Sequence, residues 1–277
     1  MGEKPLAVVR QVPRKAIKWP LLRKPRRAGG NYLGQSTHGK PLRFLLWRAS
    51  YGIFFRNTAQ SAATEHLPVE VLKISPDAPE RHVIDYAASF IKRGRVVAIP
   101  TDTFYGLSAD PFNLAAVERV YRVKGRPESQ ALPILVNSIE QAVTLIREVP
   151  DPFLTLAHKF WPGALTLIVE ATHNLPLKVT GNTGRVAVRW PKSAVANALI
   201  ESAEGPITGT SANLSGHPSC SNAQQIVEQL DGRLPLILDC GDTGGTLAST
   251  IVRINGNEWS IAREGAVPNE EIEKVFK

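Results

Sequence analysis

Three short clusters of hydroxyl, amide and basic side chains carry groups that could bind an anion. They are Thr101-Asp102-Thr103, Lys124 with Arg126, and Ser211 with Asn213. The first follows an apolar run that ends at a proline, and open α/β sheets usually build their sites at such strand ends. Fixed cations beside short neutral donors suit a phosphate or carboxylate ligand.

Each cluster also has an ordinary structural interpretation. Thr and Asp commonly form turns after strands, Lys-Gly-Arg-Pro commonly ends a helix, and Ser-x-Asn commonly caps one. A single cluster therefore does not indicate a site. Their joint occurrence in one domain is what favours a ligand-binding function, with Lys124 and Arg126 expected on a solvent-facing loop.

Other kinds of site lack their sequence signature. The chain has no G-x-G-x-x-G and no G-x-x-x-x-G-K-[ST], which argues against an ordinary dinucleotide site and a Walker-type ATPase. Its six histidines and two cysteines show no metal-ligand spacing, so no metal held by protein side chains is predicted. The glycine-rich segment 241–245 matches no phosphate signature, and we interpret it as a flexible turn.

The apolar periodicity over residues 67–277 predicts the elements that position these clusters. Strands are expected at 69–74, 95–99, 132–136, 165–169, 186–188, 207–210, 236–238, 249–254 and 259–262. Helices are expected at 79–92, 114–124, 138–147, 152–160, 194–202, 221–230 and 269–276. Ser138 with Gln141, and Ser221 with Gln224, have capping-box spacing. The fold class is therefore α/β, a single domain with one twisted mixed sheet flanked by helices.

The excess of positive over negative charge lies entirely in the first 66 residues. The net charge is +8, but residues 1–66 carry 13 Lys/Arg against 2 acidic residues, and residues 67–277 carry 20 against 23. We predict a basic extension of low order over 1–66 and a catalytic domain over 67–277. The main body has no charge excess that would mark a polyanion-binding protein.

Three interpretations of residues 1–66 stay open: a targeting peptide, an RNA-binding arm, and upstream sequence included by a wrong start codon. Within this segment, residues 42–55 fit a short surface helix as well as a membrane contact. No apolar run approaches the roughly 20 residues that span a bilayer. With few cysteines and no disulfide framework, a cytoplasmic protein is expected.

Seven motifs occur in the order seen in the YrdC family of threonylcarbamoyl-AMP synthases, which the chain resembles over about residues 80–270. They are Pro100-Thr101-Asp102-Thr103-Phe104-Tyr105-Gly106-Leu107, Lys124-x-Arg126, Trp161-Pro162-Gly163-Ala164-Leu165-Thr166, Val186-Ala187-Val188-Arg189-Trp190-Pro191, Thr210-Ser211-Ala212-Asn213-Leu214-Ser215-Gly216, Ser249-Thr250-Ile251 and Arg263-Glu264-Gly265. Nothing in the resemblance extends to residues 1–66.

The resemblance implies a nucleotidyltransferase that condenses L-threonine, bicarbonate and ATP to threonylcarbamoyl-AMP and pyrophosphate. The product would pass to a tRNA threonylcarbamoyl transferase for modification of tRNA. Mg²⁺ would arrive with ATP, held largely by phosphate oxygens and water. An RNA contact through the basic extension is the further partner considered, and no membrane partner is expected.

The resemblance also implies roles for individual residues. Lys124 and Arg126 would contact phosphates and the carbamate as catalytic cations. The implied L-threonine contacts are Thr103, Arg189 and Ser249. The implied ATP contacts are Arg126, Gln130, Ser211, Asn213, Ser219 and Arg263. Many relatives carry a histidine after the Lys-x-Arg loop where this chain ends at Asn137, which leaves a role for Asn137 at the threonine site open.

Two other functions compete with this one. A non-catalytic RNA-binding module would use a YrdC-like surface together with the basic extension. The lack of excess positive charge in residues 67–277 argues against RNA binding by the main body. A related carbamoyl-adenylate enzyme would take carbamoyl phosphate instead of threonine. Enzymes of that kind usually carry zinc-finger and acylphosphatase modules, which are absent from this sequence.

Overall fold

Strands and helices alternate along the chain much as the apolar pattern predicts. The computed structural model describes residues 10–11, 69–230 and 232–277, all within one unit. The helices are α1 (Arg81–Lys92), α2 (Leu114–Lys124), α3 (Ile139–Val143), α4 (Asp151–Phe160), α5 (Ala194–Ala203), α6 (Ala223–Leu230) and α7 (Asn269–Lys274). The strands are β1 (Arg10–Gln11), β2 (Glu70–Lys73), β3 (Val97–Ile99), β4 (Gly106–Ser108), β5 (Ile134–Leu135), β6 (Leu165–Glu170), β7 (Arg185–Arg189), β8 (Ile207–Thr208), β9 (Thr210–Ser211), β10 (Leu236–Asp239), β11 (Thr250–Asn255) and β12 (Glu258–Arg263).

The α/β fold class is confirmed, but the described strands form two mixed sheets and not one. The larger sheet has the order β1-β12-β11-β6-β7-β5-β8, and the smaller has the order β2-β10-β3-β4-β9. In the smaller sheet β2, β10 and β3 are parallel, while β4 returns antiparallel to β3. The turn between β3 and β4 holds the threonine-rich cluster, which therefore lies at a strand end as predicted.

Burial explains why β3 reads as a continuous apolar run. Its alternate side chains belong to two different cores, with Val97 and Ile99 packed beside α1 and α5. Ala98 and the preceding Val96 face the larger core, which also takes in the inner face of the larger sheet. A strand that is buried on both faces has no polar positions to alternate with.

The predicted strand 207–210 is divided between the two sheets at Gly209. Residues Ile207–Thr208 pair with β5 in the larger sheet, and Thr210–Ser211 pair with β4 in the smaller one. A Cβ on residue 209 would lie 2.3 Å from Cγ of Leu135. Glycine therefore allows the chain to cross between the sheets in close contact with β5.

Several predicted helix boundaries differ from the structure, and two of the differences have a visible physical cause. Helix α3 ends at Val143 and does not reach residue 147, because Ile146 bridges Ala171 and the Arg147 amide donates to the Glu170 carbonyl. Helix α6 begins at Ala223, one residue later than a cap at Ser221 predicts. Asn222 accepts from the Gln225 amide and supplies the cap, so the asparagine competes successfully with the preceding serine.

Strand β4 is an element that the sequence pattern did not predict, because its three residues directly follow the turn-forming cluster. Within the basic extension only Arg10–Gln11 are described, as strand β1 paired with β12. The other interpretations of this extension, including those of residues 42–55, lie outside the described residues. Within the described ranges, no helix has both the length and the apolar character needed to cross a bilayer.

Candidate active site

A cavity of about 310 Å³ lies between the two sheets and gathers most of the predicted site residues. Both sheets contribute to its wall, through the β3–β4 turn on one side and the strands β6, β7, β11 and β12 on the other. The polar side chains that line it come from Thr101, Thr103, Arg126, Thr166, Arg189, Thr210, Ser211, Ser219, Ser249 and Arg263. Seven of the ten predicted site residues are therefore brought together here.

The threonine-rich turn is fixed by its own hydroxyl groups. The Thr101 hydroxyl donates to the Phe104 carbonyl at 2.6 Å and accepts from the Thr103 amide at 3.2 Å. Such side-chain to backbone bonds stabilise a turn without a helix or a sheet ladder. They leave the Thr103 hydroxyl facing Arg189, 3.0 Å from its Nη1 atom.

Arg189 is buried and held on three sides before any ligand is bound. Its Nη2 atom lies 2.6 Å from Oδ1 of Asp102, and its Nε atom donates to the Gly163 carbonyl at 3.0 Å. Burial lowers the pKa of Arg189, and the Asp102 carboxylate opposes that shift. Asp102 was not among the predicted ligand contacts, although it lies within the motif that drew attention to its neighbours.

Arg263 approaches the same cavity from β12 and is tied to Ser249. Its Nη2 atom donates to the Ser249 carbonyl at 2.6 Å and lies 3.2 Å from the Ser249 hydroxyl. Burial, and next the positive charge of Arg189, lower the pKa of Arg263. The two guanidinium groups therefore act on the same space and favour an anion between them.

Arg126 enters the cavity from the loop that follows α2. Gly125 ends this helix with a left-handed φ of 60°, and Arg126 is half-buried just beyond it. Its Nη2 atom donates to the Ala131 carbonyl at 2.9 Å, and burial lowers its pKa. Gln130, by contrast, is exposed and does not line the cavity, so the structure does not bring its side chain to this site.

Lys124 is not on a solvent-facing loop, as the sequence led us to expect. It is the last residue of α2 and is 1% exposed. Its Nζ atom contacts the carbonyl and hydroxyl oxygens of Ser211, and the carbonyl and Oδ1 oxygens of Asn213 at 3.1 and 3.2 Å. Lys124 is not among the residues that line the cavity. Burial, followed by repulsion from Arg126, lowers the pKa of Lys124 to about 8.

Asn213 likewise does not line the cavity, and it organises the loop that contains it. Its Nδ2 atom donates to the carbonyls of Leu214 and His217, each at 2.7 Å, while its Oδ1 accepts from Lys124. Ser211 and Ser219 do line the cavity. Lys124 and Asn213 thus hold Ser211 in place in this structure.

The glycine-rich segment 241–245, interpreted as a flexible turn, packs against the back of the threonine-rich turn. The Thr243 hydroxyl donates to the Thr103 carbonyl at 2.9 Å, and the Tyr105 hydroxyl donates to the Gly241 carbonyl at 2.8 Å. A Cβ on Gly245 would lie 1.6 Å from the Thr103 carbonyl oxygen. Only the excess of glycine in this segment signalled such a close approach.

The remaining side chains define what else the site can hold. Asn137 does not line the cavity, and its amide donates to the Gln141 side chain at 3.1 Å. Among the described residues, no group of three or more His, Cys, Asp or Glu side chains is arranged to bind a metal ion. A second cavity of about 540 Å³ adjoins the first and shares Ala131, Ile168 and Ala187 with it.

Known proteins are similar to this chain in sequence. The family model Sua5/YciO/YrdC, described as telomere recombination, matches residues 89–265. A threonylcarbamoyl-AMP synthase from Pyrococcus abyssi (strain GE5 / Orsay) is 41% identical, over 71% of this chain and 58% of that protein. A protein of the same name from Bacillus subtilis (strain 168) is 39% identical, over 70% of this chain and 56% of that protein.

Solved structures support the same grouping. The crystal structure of P. abyssi Sua5 complexed with L-threonine superposes with a TM-score of 0.71 at 39% identity, covering 74% of this chain and 60% of that one. The chain therefore spans less than two thirds of the length of these relatives. Since the family model covers residues 89–265, more than half of the sequence, this chain belongs to the Sua5/YciO/YrdC family.

Proposed function

We propose that this protein is an enzyme that makes threonylcarbamoyl-AMP from L-threonine, bicarbonate and ATP. The amine of threonine attacks the carbon of bicarbonate, and water leaves to give a carbamate. An oxygen of the carbamate then attacks the α-phosphorus of ATP, and pyrophosphate leaves. The observation that carries the proposal is the cavity in which Arg126, Arg189 and Arg263 converge, in a chain 41% identical to a protein with this name.

The charges in the cavity suit these substrates. Arg189 offers a guanidinium for the threonine carboxylate, and Asp102 beside it balances that charge. We assign Arg126 and Arg263 to the phosphates and the carbamate, which repel one another in water. Bringing two anions together between fixed cations, away from bulk solvent, lowers the barrier to phosphoryl attack. The adjoining cavity of about 540 Å³ leaves room for the nucleoside.

We assign the other predicted residues by where they lie. Ser211 and Ser219, which line the cavity, are proposed contacts of ATP, and Thr103 and Ser249 are proposed contacts of threonine. Lys124 and Asn213 are proposed to act through Ser211 and not through direct contact with phosphate. Gln130 stays a predicted ATP contact that would require its exposed side chain to turn inward.

We propose that Mg²⁺ enters as part of the ATP substrate. The charged side chains lining the cavity are arginines, and the adjacent carboxylate of Asp102 is already paired with Arg189. These side chains suit a triphosphate that brings its own Mg²⁺, held by phosphate oxygens and water. They do not suit a metal site built from protein ligands. Transfer of the product to a tRNA threonylcarbamoyl transferase, and a cytoplasmic location, are further parts of this proposal.

Pyrophosphate release from ATP tests the proposal. Bicarbonate and L-threonine are supplied together or omitted in turn, and release should require both. Arg126→Ala should raise the KM for ATP by about tenfold or more, because a charged hydrogen bond to phosphate is lost. Arg122→Ala is the matched control, since Arg122 is an exposed arginine in the last turn of α2, just before the loop that carries Arg126.

The competing functions give different results in the same assay. Release without threonine would indicate a different acceptor, and release that needs carbamoyl phosphate in place of threonine would indicate the carbamoyl-adenylate enzyme. No release under any combination would reject the synthase. In that case a salt-dependent affinity of the full chain for RNA would support the RNA-binding module.

A further inference from the structure

Two buried hydroxyl groups form a pair on the floor of the cavity. Oγ1 of Thr166 lies 2.8 Å from Oγ of Ser249, and the two residues are 3% and 7% exposed. In β6, the flanking residues Leu165 and Leu167 pack into the larger core. Thr166 lies between them, on the opposite face of the strand. Both hydroxyl-bearing residues line the cavity.

The pair lies between the two guanidinium groups. On one side, Thr166 pairs with Ile251 of β11, which in turn pairs with Arg263 of β12. On the other side, Leu167 pairs with Val188 in an antiparallel register, which places Arg189 opposite Thr166 and on the same face of the sheet. The floor therefore presents hydroxyl groups flanked by a positive charge from each side.

The hydrogen bonds of the pair leave one proton without an acceptor. Two hydroxyl groups supply two protons, and one of them is used in the bond between the two oxygens. The Ser249 oxygen also accepts from Nη2 of Arg263 at 3.2 Å. Among the described residues, Thr166 Oγ1 has no second partner. Whichever hydroxyl donates within the pair, the other has a proton to give to a ligand.

We infer that Thr166 binds substrate directly, and that the Thr166–Ser249 pair with Arg189 and Arg263 holds a planar O–C–O anion. A carboxylate or bicarbonate accepts hydrogen bonds in its own plane from both sides, as this arrangement offers. The inference rests on the proposed function and deepens it. Within that function the anion has two sources, the carboxylate of L-threonine and bicarbonate.

The test compares Thr166→Val with Thr166→Ser. Valine keeps the shape and the β-strand preference of threonine but removes the hydroxyl, whereas serine keeps it. The KM values for L-threonine, bicarbonate and ATP are each measured by pyrophosphate release with the other two substrates saturating. Binding of L-threonine to the full chain without ATP is measured by calorimetry.

Thr166→Val should raise one KM by about 10- to 100-fold, the size of a lost hydrogen bond to a charged group. Thr166→Ser should stay within about threefold of the wild type. A rise confined to the KM and Kd for L-threonine assigns the floor to its carboxylate, and a rise confined to bicarbonate assigns it to that ion. An unchanged profile, or an equal rise for all three substrates, would reject the inference.

Failure of the proposed function would look different. If the wild type releases no pyrophosphate but binds L-threonine, the calorimetric comparison of the two variants still tests the floor. Loss of binding in Thr166→Val with retention in Thr166→Ser would then support the inference alone. Equal binding by both variants would reject it.

Discussion

Lys124 shows how one buried residue can matter to a site that it does not touch. Its ammonium is surrounded by four oxygens of Ser211 and Asn213, and none of them carries a negative charge. A charged amine can donate three hydrogen bonds, which suits a group of acceptors. The neutral amine donates only two, so deprotonation would weaken its hold on Ser211.

We therefore predict that activity declines as the pH rises above about 8, the pKa of Lys124 in the folded protein. Its ordinary pKa of 10.5 is lowered mainly by burial, so between these values the unfolded chain binds more protons than the folded one. The contribution of Lys124 to the free energy of unfolding must then increase with pH across this window. Activity and stability should change in opposite directions.

The measurements are kcat/KM for ATP across this pH range, and denaturant unfolding at about pH 7.5 and about pH 9.5. Lys124→Met, which fills a similar volume without a charge, should lose the pH dependence that Lys124 contributes to stability. The same pH dependence in the wild type and the variant would mean that another group titrates.

At the residue level, the motifs predicted the cavity better than they predicted individual roles. Thr103, Arg189, Ser249 and Arg263 all line it. The sequence could not show that Lys124 is buried, because a lysine at the end of an amphipathic helix is usually exposed. Nothing in the sequence indicated a ligand-site role for Asp102 either, since an aspartate after a strand is an ordinary turn former.

Among the elements, the glycine-rich segment 241–245 contributes most to the site beyond what the sequence indicated. Its contacts with Thr103 are made to the Thr103 carbonyl, by the Thr243 hydroxyl and by the close approach of Gly245. Contacts to a backbone atom leave little trace in residue types other than glycine. The division of 207–210 between two sheets was equally hidden. Periodicity identifies a strand, but it does not identify the partner with which the strand pairs.

Gly245→Ala tests the importance of this segment. An added Cβ would meet the Thr103 carbonyl at 1.6 Å, so the segment must move away from the threonine-rich turn. We expect the KM for L-threonine to rise about tenfold while the KM for ATP changes less, on the order of an overpacking cost of 1 to 3 kcal/mol. The measurement is pyrophosphate release with each substrate varied.

Thr246→Ala is the control for Gly245→Ala, because Thr246 is the exposed residue next to it. It should leave both KM values near those of the wild type. A wild-type KM for L-threonine in Gly245→Ala would show that the segment does not support the threonine site.

For the whole molecule, the separation of charge predicts a separation of roles. The body over residues 67–277 carries 20 basic and 23 acidic residues and contains every residue that lines the cavity. Within residues 1–66, β1 adds only a two-residue pairing with Glu258 and Trp259, at the end of β12 remote from Arg263, so removal of residues 1–66 should leave pyrophosphate release unchanged. Any RNA affinity should be lost with the same deletion, because it would rest on the basic residues removed. Filter binding at two salt concentrations and the pyrophosphate assay check both expectations.

A loss of activity in the shortened protein, with its folding intact by circular dichroism, would show that residues 1–66 take part in catalysis. Retained RNA affinity would instead place that affinity on the body. Either result would contradict the assignment of catalysis to residues 67–277 and of any RNA binding to residues 1–66.

The crossing at Gly209 also bears on how the molecule unfolds. Just before it, the Thr208 hydroxyl donates to the Leu107 carbonyl and accepts from the Ala109 amide, each at 3.0 Å, which joins the larger sheet to β4 of the smaller one. Neither sheet can open without breaking this junction. The two sheets should therefore melt in one cooperative transition, and the amides at the junction should be among the slowest to exchange with deuterium.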